Sequence, residues 1–283
     1  MKKIINNNLR TPEYELLDFN TPLKEYPRKQ FERESYYSLN GKWDYAVSAN
    51  DSLNLTFEGK ILVPYCIEST NSQVCRSIKK GEYIIYHRTF NLDSNFIKDK
   101  TFINFMGVDQ EFDLYLNGKK YGHYIPLGLP TSIDITDSIK EENDIYVVVK
   151  DDLDLSLPYG KQVREQHGMW YTSVSGIYYP VYIESVNEGY IESVKIDTTM
   201  DSVKFNVTSK EENINVLIRF KDEVVYEGKL VNNEYIKLDN IHLWDVNNPN
   251  LYDVVLSNLN DEVHTYFALR KVELIDGLIY LNN

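Results

Sequence analysis

Cysteine is almost missing from this sequence, with only Cys66 and Cys75 among 283 residues. Two thiols form neither a disulfide framework nor a zinc-ligand pattern. They read as free thiols in a reducing compartment, with one short-loop bridge as the alternative. Histidine is scarce too. The five (His87, His123, His167, His242 and His264) have no metal-ligand spacing, so no metal site is expected. Basic residues are outnumbered, 30 Lys+Arg against 43 Asp+Glu, for a net charge of −13. That balance excludes a phosphate-binding face and argues against nucleic acid and anionic membrane surfaces as partners. No apolar run approaches the ~20 residues of a membrane span. The start, MKKIINNNLRTPEYELLDF, has two lysines but no apolar stretch of the secretory kind. The expected location is the cytoplasm.

Recognisable catalytic signatures are missing as well. There is no G-x-S-x-G elbow, no P-loop and no G-x-G-x-x-G, and no cofactor is expected. Paired carboxylates can hydrolyse a glycosidic bond from about 5–10 Å apart, but 43 acids offer no means of choosing a pair. The Asp151-Asp152…Asp154 cluster reads as a solvated loop or a structural cap. Taken alone, the residues specify no active site.

What is present is strand-forming material. The chain is 42% hydrophobic and 13% aromatic, with 23 tyrosines, enough for real cores. Tyrosine suits strands and also surfaces that meet sugars or partners. Phe112, Leu114 and Leu116 alternate with polar neighbours, and then Asn117-Gly118 precedes Lys119-Lys120-Tyr121. This predicts a hairpin closed by a two-residue type I′ turn. Ile145 to Val149 reads as a buried strand. Tyr178 to Glu184 reads as another, pushed toward an edge or a bulge by Pro180. Further alternation runs through Val203, Phe205 and Val207, through Val216, Ile218 and Phe220, and through Tyr252, Val254 and Leu256. The best helix candidate is Thr136 capping Asp137 to Glu141, one or two turns long. Many short strands with little helix mean an all-β protein of sandwiches or barrels.

At this length two domains are expected. A strand ends near Val186-Asn187-Glu188-Gly189 and a fresh series begins at Tyr190. Residues 1–187 are too many for a seven-strand sandwich and suit a jelly roll with an N-terminal extension. Residues 188–270 suit an immunoglobulin-like sandwich. Residues 271–283 read as one more hairpin, turning at Asp276-Gly277.

Several segments, in order, resemble the N-terminal half of the family 2 glycoside hydrolases, the group of β-galactosidases, β-glucuronidases and β-mannosidases. Leu39-Asn40-Gly41-Lys42-Trp43 resembles the opening strand of the family. Val63-Pro64-Tyr65 with Glu68-Ser69, and Tyr86-His87-Arg88-Thr89-Phe90, resemble the segments that follow it. Phe105 to Asp109 with Tyr115 to Lys119 resembles the family's "F.GVD…VYLNG" hairpin, and Ile133 to Asp137 the segment after it. Asp151 to Gln162 and Ser175-Gly176-Ile177 resemble the loop and strand that close the first domain. Leu243-Trp244-Asp245, Asn248 to Tyr252 and Phe267-Ala268-Leu269-Arg270 resemble signatures of the second domain. Three departures stand out. Tyr178-Tyr179-Pro180-Val181 lacks the arginine of the family's "WR.V". Pro126 to Pro130 replaces a glycine-rich turn. Ala268 replaces the glycine of "FGLR".

The resemblance implies a jelly roll followed by an immunoglobulin-like sandwich, and carbohydrate as the ligand class. It places the two catalytic glutamates of a retaining β-galactosidase- or β-glucuronidase-type mechanism on a barrel expected in cis beyond Asn283. No residue here matches either glutamate, so no catalytic residue is assigned and the chain alone is expected to be inactive. The segment expected to reach substrate is Asp152 to Tyr171. Trp170 and Tyr171 would stack on a sugar ring, and Asp152, Lys161, Gln162 and His167 would serve as polar substrate contacts; the alternatives are a core or interface place for Trp170 and a solvated surface place for Lys161. Trp43 is expected in the core. Two other roles are a free-standing carbohydrate-binding module and a purely structural pair of domains mediating homo-oligomer assembly.

Overall fold

The computed structural model describes residues 12–283 and is essentially all-β. The described residues form two compact units, one of residues 12–27 and 36–185, the other of residues 28–35 and 186–283. Among the described residues no helix is long and apolar enough to cross a membrane.

The first unit is a sandwich of two antiparallel sheets. The larger has six strands in the order Gly59–Val63, Gly41–Ser48, Tyr83–Asn91, Glu142–Lys150, Glu111–Leu116 and Lys119–Tyr124. The smaller has four, Tyr36–Ser38, Val181–Val186, Lys100–Phe105 and Thr131–Asp134. Period-two alternation builds the space between them. Val147 lies opposite Tyr86 on one side and Leu114 on the other, and all three are buried. Ile103, Phe105, Val181 and Ile183 of the smaller sheet join the same core. Each such side chain contributes about 1.5–3 kcal/mol by leaving water. Trp43 is fully buried there, with its indole N–H donating to the Leu39 carbonyl at 2.8 Å. The Glu111–Leu116 and Lys119–Tyr124 strands form the expected hairpin. Asn117 (φ 51°) and Gly118 (φ 81°) both take the left-handed conformation that a type I′ turn requires.

Two expectations are corrected. No helix forms after Thr136. The segment makes a single turn, closed by Ser138 and Ile139 N–H bonds to the Ile135 carbonyl. The Thr136 hydroxyl is not available as a cap, because it accepts the Thr101 N–H at 2.9 Å and donates to Asp134 at 2.5 Å. The strand after Pro180 is not an edge. It runs Val181–Val186, fully buried, between Tyr36–Ser38 and Lys100–Phe105. Pro180 stands just outside it, where its missing N–H costs no ladder bond, and its carbonyl accepts the Met106 N–H at 2.9 Å.

The second unit pairs a three-stranded sheet (Ile191–Thr198, Ser202–Ser209, Tyr235–Lys237) with a four-stranded one (Glu223–Lys229, Asn215–Phe220, Tyr252–Ser257, Glu262–Phe267). This is an immunoglobulin-like sandwich. The predicted alternating residues fill its core, including Val203, Phe205, Val216, Ile218, Tyr252, Val254 and Leu256. Tyr252 also accepts the His242 N–H on its hydroxyl at 2.8 Å, which ties the Leu243-Trp244 segment to the sheet. Segment 28–35 completes this unit. Phe31 enters the core, and Arg33 reaches the Asp261 carboxylate at 3.1 Å, both side chains nearly inaccessible. Val272–Ile275 and Leu278–Leu281 form the expected final hairpin, with Asp276 and Gly277 both at positive φ.

Candidate functional site

Chemistry-bearing side chains of the first sandwich concentrate where strand Glu142–Lys150 ends and the chain wanders through residues 151–175 before re-entering the fold at Gly176–Ile177. Such a long excursion must satisfy its own polar groups, and acids at its base do so. Asp151 is fully buried. Its carboxylate accepts the Ser175 hydroxyl at 2.6 Å and the Leu153 N–H at 2.8 Å. Glu68 is also buried, and accepts the Ser175 N–H at 3.0 Å and the Ser173 hydroxyl at 3.2 Å. Burial raises its proton affinity. Asp109 completes the group. Gln162 bridges it to the loop, its Nε2 donating to Asp109 at 3.1 Å while its Oε1 accepts the Val174 N–H at 2.6 Å. Burial first, then the negative charges of Asp151 and Glu68, push the Asp109 carboxyl up to about 6 against the opposing Gln162 bond.

Arg164 pins the loop from outside. It donates to the Ile78 carbonyl at 2.9 Å and to the Asp151 main-chain carbonyl, and it lies 3.8 Å from the Asp151 carboxylate. Two glycines permit the close packing below. A Cβ on Gly176 (φ 91°) would meet the Tyr86 hydroxyl at 2.1 Å, and one on Gly107 would meet the Tyr178 and Tyr179 rings at 2.8 Å.

Beside this buried base opens a pocket of about 440 Å³. Of the residues expected to contact substrate, Asp152, Gln162, His167 and Trp170 line it. Lys161 and Tyr171 lie outside it, both exposed, joined to each other through the Tyr171 N–H and the Lys161 carbonyl at 3.0 Å. Asp152 is already engaged, accepting the Gly81 N–H at 2.6 Å and pairing with Lys150 at 3.0 Å. Burial pulls its acidity the other way, but these partners prevail and its pKa is lowered. His167 bonds the Glu165 carbonyl at 2.8 Å, and Trp170 is half-buried. Lys80, Tyr159 and Arg164 line the same pocket and were not singled out in the sequence. The reading of Asp151 to Asp154 as a solvated loop or cap divides three ways. Asp151 is wholly buried, Asp152 caps Gly81, and Asp154 is exposed and caps Ser156. Among the described residues, no group of His, Cys, Asp and Glu is placed to hold a metal ion.

Residues 58–187 match the family described as "Glycosyl hydrolases family 2, sugar binding domain", and residues 183–270 match "Glycosyl hydrolases family 2". The chain belongs to glycosyl hydrolase family 2. It is 24% identical to a β-galactosidase of Clostridium acetobutylicum, over 86% of this chain and 32% of that protein. It is 27% identical to a β-galactosidase of Actinobacillus pleuropneumoniae, over 89% of this chain and 27% of that one. Among solved structures, a β-glucuronidase from Ruminococcus gnavus in complex with C6-substituted uronic isofagomine superposes with a TM-score of 0.74. The identity is 21%, covering 94% of this chain and 50% of the other. The β-D-glucuronidase of Dictyoglomus thermophilum gives 0.71 at 21% identity, covering 91% and 47%. These are fold likenesses. The chain thus spans about a third or less of these two β-galactosidases and about half of these two structures. The family 2 match covers the loop-bearing first sandwich from residue 58 onward and most of the second.

Proposed function

We propose that this chain is the non-catalytic, N-terminal part of a β-glycosidase acting on β-galactosides or β-glucuronides. In this reading a barrel domain supplies the hydrolytic glutamates. The two sandwiches support it, and loop 151–175 lends one wall to the sugar site. The observation that carries the proposal is a division of labour within the loop. The buried carboxylates of Glu68 and Asp151 are consumed by Ser173, Ser175 and backbone N–H groups, and Asp109 is held by Gln162. Carboxylates held this way fix a loop; they are not spaced around an open cleft as an acid and a nucleophile must be. The pocket side carries Trp170, Tyr159, His167 and Gln162, which suit ring stacking and hydroxyl recognition.

The same pocket favours a second reading, a carbohydrate-binding module that works without a barrel. One pair of measurements separates the two. The 283-residue chain is incubated with 4-nitrophenyl β-galactoside and β-glucuronide, and no release of nitrophenol above background is expected; turnover would overturn the non-catalytic assignment. Titration with galactose and glucuronate then tests autonomous binding. Saturation at millimolar sugar, abolished by Trp170→Ala, would favour the module.

A further inference from the structure

The second sandwich has a cleft that takes no part in the site described above. It opens where strands Ile191–Thr198 and Glu262–Phe267 form the outer edges of their sheets, and its volume is about 590 Å³. Sites for small organic molecules span roughly 300–1,000 Å³. Val194, Ile196, Leu251 and Phe267 supply apolar wall, and Trp244 and Tyr266 add ring faces.

Charge is distributed there against the trend of the chain. The sequence carries 43 acids and 30 bases, yet the charged lining residues are Lys195 and Arg270, with no Asp or Glu among them. Lys195 is partly engaged by Asp197 at 3.7 Å. Arg270 lies over the Trp244 ring, 4.9 Å from its centroid, and no carboxylate among the described residues comes within ion-pair distance of it. A guanidinium held by an indole keeps its N–H edge for a planar, bidentate acceptor, the geometry a carboxylate offers. A second, independent feature lies in the same lining. Thr265 is 5% exposed, and its buried hydroxyl has no hydrogen-bond partner among the described residues. Leaving such a group unsatisfied costs about 1–3 kcal/mol, so in a native site it calls for an explanation, and a ligand hydroxyl supplies one.

We propose that this cleft binds a small aromatic carboxylic acid. The acid group pairs with Arg270, the ring body packs between the apolar walls, and a ring hydroxyl meets Thr265. A neutral sugar fits less well, because much of the wall is aliphatic or aromatic and would leave most sugar hydroxyls unpaired.

The test is calorimetric titration of the 283-residue chain with 4-hydroxybenzoate. The Trp170→Ala variant is used throughout, so that ring stacking on Trp170 in the other sandwich does not contribute. Saturable binding is expected. Arg270→Gln should weaken it about tenfold or more, as for loss of a charged hydrogen bond. Arg270→Lys should fall in between, because it keeps the charge and loses the fork. Thr265→Val should bring 4-hydroxybenzoate down to the affinity of benzoate. Benzyl alcohol, a ring without charge, and acetate, a charge without a ring, should each bind at least tenfold more weakly. The proposal is overturned if no heat saturates at millimolar ligand, if Arg270→Gln binds as well as the parent while melting at the same temperature, or if benzyl alcohol matches 4-hydroxybenzoate. Equal affinity for D-glucuronate would show the apolar walls to be idle and overturn the ring assignment.

Discussion

The Ser175 hydroxyl donates to the buried carboxylate of Asp151 at 2.6 Å, while the backbone N–H of the same residue donates to Glu68 at 3.0 Å. One residue at the return of the loop therefore satisfies two acids with no access to water of their own. Removing the hydroxyl leaves Asp151 with the Leu153 N–H and a distant guanidinium. Ser175→Ala should cost about 1.5–3 kcal/mol, the usual worth of a hydrogen bond to a buried charge. Urea unfolding followed by fluorescence in a Trp170→Phe, Trp244→Phe background, which leaves Trp43 in the core of this sandwich as the sole indole, would read the loss as a lower midpoint with unchanged slope. An unshifted midpoint would mean that the Asp151 carboxylate finds another partner in place of the hydroxyl.

Asp109 gives the first sandwich a pH dependence of defined sign. Its carboxyl is raised from 3.8 to about 6, by burial above all. The folded state therefore holds this proton more tightly than the unfolded chain does. The unfavourable contribution is absent below about pH 4, grows as pH rises toward 6, and is complete above it. A difference of about two in pKa corresponds to at most about 3 kcal/mol, and less once solvent screening is counted. Asp109→Asn keeps an acceptor for Gln162 and removes the charge. It should raise the melting temperature at pH 7 and leave it unchanged at pH 4. A gain equal at both values would trace the effect to packing instead.

Gly176 faces Tyr86 so closely that any side chain collides with it. At φ 91° the backbone already disfavours an L-residue, and a Cβ would sit 2.1 Å from the Tyr86 hydroxyl. Gly176→Ala should destabilise by about 2–4 kcal/mol, combining overpacking with backbone strain. Adding Tyr86→Phe removes the oxygen the new methyl strikes, at the expense of its bond to the Ile177 N–H at 3.3 Å. The double variant should recover part of the loss in thermal unfolding. Simple additivity of the two single changes would rule out the collision as the cause.

Local spacing carried much of this fold. Asn117-Gly118 and Asp276-Gly277 each marked a hairpin, because few residue pairs accept two consecutive positive φ values. The alternation at Val203, Phe205 and Val207 marked a buried face because successive side chains of a strand point to opposite sides. Interactions between distant parts of the chain were not legible. Nothing around Phe31 and Arg33 announces that residues 28–35 complete the second sandwich, since their partner Asp261 lies 228 positions downstream of Arg33. Thr136 looked like a helix cap until the Thr101 N–H claimed its hydroxyl. The loop site was legible as a segment but not as a division of roles. Asp151 and Asp152 are neighbours with similar surroundings in sequence, yet one is sealed beneath Ser175 and the other holds Gly81 at the pocket. Composition shows that acids are present, and only the fold decides which of them meet a hydroxyl.

Arg164 couples the loop to the sandwich beneath it, so its removal should act locally. Its guanidinium spans from the Ile78 carbonyl to the main chain and carboxylate of Asp151, joining the start of the loop to a neighbouring segment. Arg164→Ala deletes those bonds while leaving the hydrophobic core untouched. The strands should therefore stay folded, with the global melting temperature falling by only a few degrees, as for a loss of about 1 kcal/mol. Loop 153–172 should instead open more often, because its remaining ties to the sandwich, chiefly Gln162 and the Gln110–Asp154 pair, are few. Limited proteolysis should cut within that window several times faster than in the parent chain, with the fragments otherwise intact. If cleavage stays slow while the melting temperature drops sharply, Arg164 is a core strut and not a loop clamp. The pocket formed with Trp170 and His167 would then depend on other contacts for its shape.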